Sequence, residues 1–187
     1  MVPWENYLVG EPMSAEAILE VIRRRRSVRR YRPDPVDRET VDRLLDAARW
    51  APSAGNLQPW FFYVVTEARL KRELAAAALR QSFVAEAPVC IVVCAEPERS
   101  ARIYGTRGRT LYCLQDTAAA VQNILLAAQA LGLGACWVGA FDEERVCACL
   151  DLPETLRPVA IIPLGYPARE TEPRPGRREL KEIVLYR

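Results

Sequence analysis

The amino-acid sequence predicts an α+β fold in which helices cover both faces of a central sheet. Short apolar runs, rich in β-branched and aromatic residues, alternate with longer segments that carry apolar residues at helical spacing. The runs that predict strands are WFFYVVT (60–66), PVCIVVCA (88–95), ACWVGAF (135–141) and RPVAIIPLGYP (157–167). The first of these is expected to be buried. With 187 residues, half of them hydrophobic, we expect one domain over 1–187.

The predicted helices begin and end at recognisable signals. Ser14 and Asp37 are placed to cap the first two helices, and the prolines of RYRPDP (30–35) end the first. The residues expected on the inner or apolar faces of these two helices are Ile18, Leu19 and Ile22, then Val41, Leu44, Leu45 and Ala48. Further helices are predicted over 67–80, 109–132 and 142–150. The alanine-rich helix over 109–132 has apolar surface wide enough for burial on more than one side.

Both ends of the chain differ in character from the middle. Residues 1–13 form an N-terminal lead without the basic segment and apolar core of a signal peptide. No apolar stretch reaches the about 20 residues of a membrane span, so the cytoplasm is the expected location. Residues 167–187 start polar and rich in proline, as in an arm that crosses a surface, and end in EIVLY, which could add a strand to a sheet.

The composition excludes several kinds of chemistry. The chain has no histidine, which removes the commonest general base and the commonest metal ligand. Its six cysteines form no C-x-x-C pair, so buried free thiols are expected and no metal site is predicted. The net charge is only +2, unlike a protein whose whole surface is built for nucleic acid. Redox chemistry here would have to come from a cofactor.

Two glycine-bearing segments could approach a flat ligand. In LGLGACWVGAF (131–141) the G-x-G pair closes a helix and precedes a strand, the reverse of a dinucleotide-binding loop, so a glycine helix end is expected. Small residues at Gly139 and Ala140 would leave their backbone N–H groups accessible. APSAGNLQPW (51–60) combines short side chains with amide groups and could lie against a planar heterocycle. It could equally be an ordinary connection between a helix and a strand.

Six arginines occupy the eight positions 23–30, and because like charges so close together repel, an anion that binds them should be sought. Nucleic acid, an acidic membrane and a single phosphate are the candidates. The combination of RRSVR (25–29) with APSAGNLQPW, the ALGLGACWVGAF turn and a basic C-terminal arm resembles the nitroreductase family of FMN enzymes, from about Ala17 to the C-terminus. This resemblance implies a three-layer α-β-α fold with a central mixed sheet, and a homodimer with two interfacial active sites. It also implies a C-terminal arm that is exchanged with the partner subunit.

The resemblance also assigns cofactor-binding residues. Arg25 would hold the FMN phosphate together with Arg177 or Arg178, and Arg29 would lie near flavin N1 and the C2 carbonyl. The remaining positions that match the family are Arg26, Ser27 and Gln81, the backbone pair Gly139 and Ala140 beside N5, and, from the partner subunit, Pro52, Ser53, Ala54 and Asn56. Arg23, Arg24 and Arg30 are expected to face solvent or to pair with acidic neighbours. Which of Arg174, Arg177 and Arg178 reaches the phosphate stays open, as does whether Tyr104 and Arg107 line the entrance or pack the loop.

The implied activity is hydride transfer from NADH or NADPH through FMN to an electron-poor acceptor, such as a nitroaromatic or a quinone, by ping-pong kinetics. No side chain need be catalytic, because the chemistry takes place at flavin N5. We expect neither nucleic acid nor a membrane as a partner. Three alternatives stay open: a dehalogenase-like or flavin-consuming branch of the superfamily, a protein that stores FMN without efficient turnover, and an arginine arm that binds nucleic acid or anionic lipid.

Overall fold

The computed structural model describes residues 14–168 and 176–187. The predicted N-terminal lead over 1–13 lies outside these ranges, as do Arg174 and the neighbouring part of the predicted C-terminal arm. In the described parts of the chain, no helix combines the length and the apolar character that crossing a bilayer requires.

The elements follow the predicted order, with two helices that the sequence analysis did not predict. The helices are α1 (Ala15–Arg24), α2 (Arg38–Arg49), α3 (Ala68–Ala77), α4 (Phe83–Glu86), α5 (Pro97–Arg107), α6 (Cys113–Ala130) and α7 (Glu143–Leu150). The strands are β1 (Trp60–Val65), β2 (Val89–Ala95), β3 (Gly134–Ala135) and β4 (Arg157–Gly165). Helices α4 and α5 are the additions. The predicted helix over 109–132 begins later, because a π-helical turn over Gly108–Tyr112 precedes α6.

The sheet has the strand order β1-β2-β4-β3, and each pair of these strands is antiparallel. A mixed sheet requires parallel as well as antiparallel pairing. Among the described residues, the parallel pairing is limited to the isolated bridge between Ser27 and Ala135. EIVLY adds no strand to this sheet. Leu180–Glu182 form a 3-10 turn, and the apolar side chains of the tail, from Leu180 to Tyr186, are largely exposed. The described residues of the chain do not cover these side chains.

Two cores confirm the three-layer arrangement of the α+β fold. Alternate residues of β2 face opposite sides of the sheet, as the pleat requires. Val89, Ile91 and Val93 pack with residues of α2 and α6. Cys90, Val92 and Cys94 pack on the other face with residues of α3, α4 and α7.

Two predicted strands differ from expectation because of their positions in the sheet. WFFYVVT was expected to be buried, but β1 is an edge strand, and Phe61 and Val64 are 47% and 43% exposed. ACWVGAF was predicted as a strand, but only Gly134 and Ala135 form β3, followed by a single bridge from Val138 to Ile161. Pro163 lies opposite this break and has no N–H to donate, which interrupts the ladder.

The predicted caps are confirmed in detail. The side chains of Ser14 and Asp37 accept hydrogen bonds from the N–H groups of Ala17 and Thr40. Gly132 ends α6 with a φ of +75°, in the left-handed region where glycine is favoured. In contrast, Ile18, Leu19 and Ile22 share a face of α1 but are 42–47% exposed, so the described chain leaves this face uncovered.

Candidate active site

The arginine segment is fixed along β3 by Val28. The N–H of Val28 donates to the Ala135 carbonyl oxygen at 3.0 Å, and Ser27 bridges to the same residue. Gly134 makes this approach possible, because a Cβ there would lie 2.6 Å from Cγ1 of Val28. Val28 is therefore buried, and the residues on either side of it project from the edge of the sheet.

Arg25, Ser27 and Arg29 converge around the buried Cys136 thiol. Burial raises the pKa of Cys136, and the charge of Arg29, a hydrogen bond involving Ser27 and the charge of Arg25 lower it in part. The Arg29 guanidinium also lies over the Phe83 ring, 5.7 Å from its centroid. The Cys136 thiol therefore senses the charges of two arginines and the Ser27 hydroxyl.

The six arginines divide into two groups by their partners. Arg23 pairs with Glu16, and Arg24 pairs with Glu20 at 2.7 Å, as expected for arginines at a solvated helix end. Arg30 is exposed, again as expected, and Arg26 is half-buried. Arg25 and Arg29 form no ion pair with any residue that the structure describes. Their charges are thus available to an anion from outside the chain.

Gln81 and the Gly139–Ala140 backbone meet at the same edge of the sheet. The side-chain amide of Gln81 donates to the carbonyl oxygens of Ala78 and Ala140, at 3.0 and 3.4 Å. The N–H of Asp142 donates to the Ala77 carbonyl oxygen, which holds the other end of this loop. Leu79 and Arg80 precede Gln81 with φ values of +55° and +60°, a strained backbone of the kind that recurs at functional sites.

A cleft of about 280 Å³ opens beside Gly139. Trp137, Gly139 and Phe141 line one side, and residues of α6 and the start of β4 line the other. The Arg157–Glu143 ion pair lies at its border, with Nη2 and Oε1 2.8 Å apart. The sequence analysis did not single out Trp137. The alternation within ACWVGAF could have identified it, because Cys136 and Val138 are buried whereas Trp137 and Gly139 are exposed.

The second glycine-bearing loop is fixed to α5 and α6. The Ala54 N–H lies 3.3 Å from both carboxylate oxygens of Asp116, and Ser53 Oγ accepts from the Gln58 N–H at 3.0 Å. Gly55 has a φ of +58° and is tightly packed, because a Cβ there would come within 2.7 Å of the Tyr104 hydroxyl. The loop is therefore held on the helices, whereas the arginine segment is held on β3.

The side chains around this loop answer one open question. Tyr104 packs against Gly55 and against the Tyr112 ring, with ring centroids 5.2 Å apart, and the Arg107 guanidinium donates to the Tyr112 hydroxyl. These contacts favour loop packing for Tyr104 and Arg107. Asn56 accepts from the side chain of Gln58, and Pro52 is exposed.

The two described C-terminal arginines lie in the exposed tail and form local hydrogen bonds there. Arg177 and Arg178 are both exposed. Arg178 bonds to Glu182, and Arg177 donates to the neighbouring Gly176 carbonyl oxygen. Their expected role at the phosphate therefore stays a prediction.

The profile of a known family matches most of the chain. Residues 22–81 and 76–166 match the model described as "Nitroreductase family", and together these ranges contain the arginine segment, both glycine-bearing loops and the whole sheet. The chain belongs to the nitroreductase family. The resemblance inferred from the motifs is thereby confirmed.

Individual nitroreductase relatives agree with this assignment. A "Putative NADH dehydrogenase/NAD(P)H nitroreductase" of Methanothermobacter thermautotrophicus is 40% identical over 167 residues, covering 87% of this chain and 82% of that protein. An "FMN reductase (NADPH)" of Bacillus subtilis is 27% identical over 170 residues, covering 84% and 68%. A crystal structure from Bacteroides thetaiotaomicron with the same description as the first relative superposes with a TM-score of 0.80 at 35% identity, covering 92% and 98%.

Proposed function

We propose that the protein transfers hydride from NADH or NADPH, through bound FMN, to an electron-poor acceptor such as a nitroaromatic or a quinone, in a ping-pong cycle. As a member of the nitroreductase family, the chain is an NAD(P)H-dependent oxidoreductase with FMN as its cofactor. The acceptor class, the kinetic order and the residue assignments below are the proposal.

The grouping of Arg25, Ser27 and Arg29 near Cys136, three residues before the open Gly139 backbone, carries the proposal. FMN joins a phosphate of about two negative charges to a planar ring. Two guanidinium groups and a hydroxyl suit the phosphate or a negative ring edge, and Arg25 and Arg29 have no competing carboxylate among the described residues. Gly139 leaves space for the ring, since a Cβ there would meet only Trp137 Nε1, at 3.8 Å. The donor set therefore fits the cofactor.

Each residue then has a defined binding role. Arg25 and Ser27 hold the phosphate end, and Arg26 supports them. Arg29, held over Phe83, places a positive charge at the pyrimidine edge, which favours the reduced cofactor. Gln81 keeps the loop at Ala140 in position, so that the Gly139 and Ala140 backbone N–H groups are presented to the ring.

A second copy of the chain would complete the site. Pro52, Ser53, Ala54 and Asn56 are held on α5 and α6, and we assign them to the cofactor of the partner in a homodimer. The exposed apolar face of α1 and the exposed tail supply apolar surface for such an interface. Arg177 or Arg178 would reach the partner's phosphate from this tail.

The protein itself supplies the binding groups, and the two thiols of β2 are not available as nucleophiles. Burial raises the pKa values of the Cys90 and Cys94 thiols to about 12, so at neutral pH they stay protonated in the core. When bound, FMN would supply the hydride-transfer chemistry between the donor and the acceptor.

Anaerobic mixing of the FMN-loaded protein with NADH or NADPH tests this function. The flavin absorbance should bleach with at least one donor and recover when a quinone or a nitroaromatic is added. Steady-state rates at varied donor and acceptor should give parallel double-reciprocal lines. Failure of both donors to bleach the flavin would instead indicate an FMN storage protein.

A further inference from the structure

The loop between β3 and α7 exposes one large aromatic side chain, Trp137, at 40% of its surface. Its neighbours Cys136 and Val138 are turned into the core, at 2% and 3% exposed. Trp137 therefore projects to the same side as Gly139, on the wall of the cleft. An indole that is exposed beside a cleft is accessible to a molecule that binds in the cleft.

The packing at Gly139 suggests that this space is kept for a ligand. Gly139 has no positive φ, so its backbone does not require glycine. A Cβ at this position would make only an ordinary contact of 3.8 Å with Trp137 Nε1, so packing within the chain does not require glycine either. The gap and the edge of the indole are adjacent, and they form one open surface.

The indole N–H adds a polar group to that surface. Trp137 Nε1 has no hydrogen-bond acceptor among the residues described. In the chain, Trp137 directly follows Cys136, whose raised pKa is partly offset by the charges of Arg29 and Arg25. Trp137 projects to the opposite side from Cys136, into the cleft that Gly139 also lines. Trp137 thus lies on the same wall as the proposed position of the flavin ring.

We propose that Trp137 is a contact residue for the flavin, with its indole lying against the bound cofactor across the space left by Gly139. This inference rests on the proposed function. An indole supplies a large, rigid aromatic surface at low conformational cost, and its N–H can donate to a polar atom of the cofactor. A planar heterocycle can lie closest to the indole where the neighbouring residue has no side chain, and close contact makes its binding more favourable.

Titration of FMN-free protein with FMN tests the proposal in the wild type and in the variants W137F, W137A and W50F. Trp50 is the control, since it is also exposed, at 74%, but lies at the end of α2. W137A should raise the Kd for FMN about tenfold, the contribution of one aromatic stacking partner to a heterocyclic base. W137F should retain most of the affinity, and W50F should match the wild type.

The emission of the bound flavin gives a second readout, which needs no turnover. An indole in contact quenches an excited flavin by electron transfer, and a phenyl ring does not. Bound FMN should therefore be brighter in W137F than in the wild type or in W50F. This comparison holds even if W137A fails to fold.

Three results would overturn the proposal, and they differ from one another. If wild-type protein does not bind FMN, the proposed function fails as well. If FMN binds normally but W137A keeps the wild-type Kd within about twofold, only the role of Trp137 fails. If W137A weakens self-association in sedimentation and its FMN affinity recovers at high protein concentration, Trp137 contacts the partner subunit instead.

Discussion

Two glycines at the same edge of the sheet have opposite reasons for lacking a side chain. Gly134 is required by the chain itself, because Val28 occupies the space of its Cβ at 2.6 Å. A Cβ at Gly139 would meet nothing closer than 3.8 Å, so packing within the chain does not explain its missing side chain. Sequence alone treats both as small residues near a turn, and only their packing separates a structural glycine from a candidate binding position.

Gly139→Ala should therefore weaken FMN binding without destabilising the FMN-free protein. The added methyl group would enter the ligand space, and overpacking of about 1–3 kcal/mol corresponds to a rise in Kd of about 5- to 150-fold. The melting temperature without FMN should stay the same or rise slightly, because alanine restricts the unfolded chain. Flavin fluorescence titration and calorimetry measure the two effects.

Gly134→Ala is the matched control for this variant. It should lower the melting temperature of the FMN-free protein, because the new Cβ would collide with Val28. Equal thermal destabilisation by both substitutions, with FMN affinity unchanged in G139A, would show that the space at Gly139 does not belong to the cofactor.

At the scale of elements, Asp116 of α6 ties the 52–56 loop to the helix layer. Burial raises the pKa of Asp116, and the Ala54 N–H lowers it only in part. Because the folded pKa is above that of the unfolded chain, ionised Asp116 costs stability at neutral pH. The cost shrinks as the pH falls through the folded pKa and is gone below the unfolded pKa. The carboxylate thus positions the loop at an energetic cost.

Asp116→Asn should remove this cost and keep an acceptor for the Ala54 N–H. The melting temperature at neutral pH should rise, and the gain should shrink towards acid pH. Asp37→Asn is the control, and its change in melting temperature should have the opposite sign. The hydrogen bond from the Thr40 backbone N–H holds the pKa of Asp37 below its usual range, so the ionised form of Asp37 favours the folded state. A gain for D116N that is independent of pH would contradict the ionic origin of the cost.

Elements with local signals could be predicted from the sequence, and elements set by tertiary context could not. The caps at Ser14 and Asp37 and the helix end at Gly132 depend on neighbouring residues only, and all are confirmed. Helix α5 was missed because PERSARIYGTR has little apolar periodicity and contains Gly105, which has a φ of +55°. The shortness of β3 depends on Pro163, which is distant in sequence.

At the scale of the whole molecule, the residues of the candidate site belong to different parts of the chain. One group lies at the edge of β3, and another is fixed to the helices. The Arg25–Arg29 segment, Gln81 and the Gly139 loop meet at the edge of β3, where the sequence motifs predicted a common site. The 52–56 loop is fixed to α5 and α6, and the tail is exposed. Their assignment to a shared flavin site depends on a second copy, a relation that neither hydrophobic pattern nor spacing encodes.

A second copy of the chain would also account for the apolar surface that the single chain leaves exposed. The face of α1 and the tail residues from Leu180 to Tyr186 belong to different ends of the chain, yet both expose large apolar side chains. The sequence predicted the α1 face correctly but could not say what covers it. A homodimer with exchanged arms would cover both surfaces with one interface.

The most direct test of the central claim compares FMN with riboflavin as ligands of the wild type and of Arg25→Ala, because the two ligands differ only in the phosphate. We predict that R25A raises the Kd for FMN about 10- to 100-fold, as expected for loss of a charge-assisted bond, and leaves the Kd for riboflavin within about twofold of the wild type. Arg23→Ala, which removes an arginine already paired with Glu16, should change neither. Equal losses for both ligands in R25A, or an unchanged affinity for FMN, would contradict the assignment of the arginine segment to the phosphate.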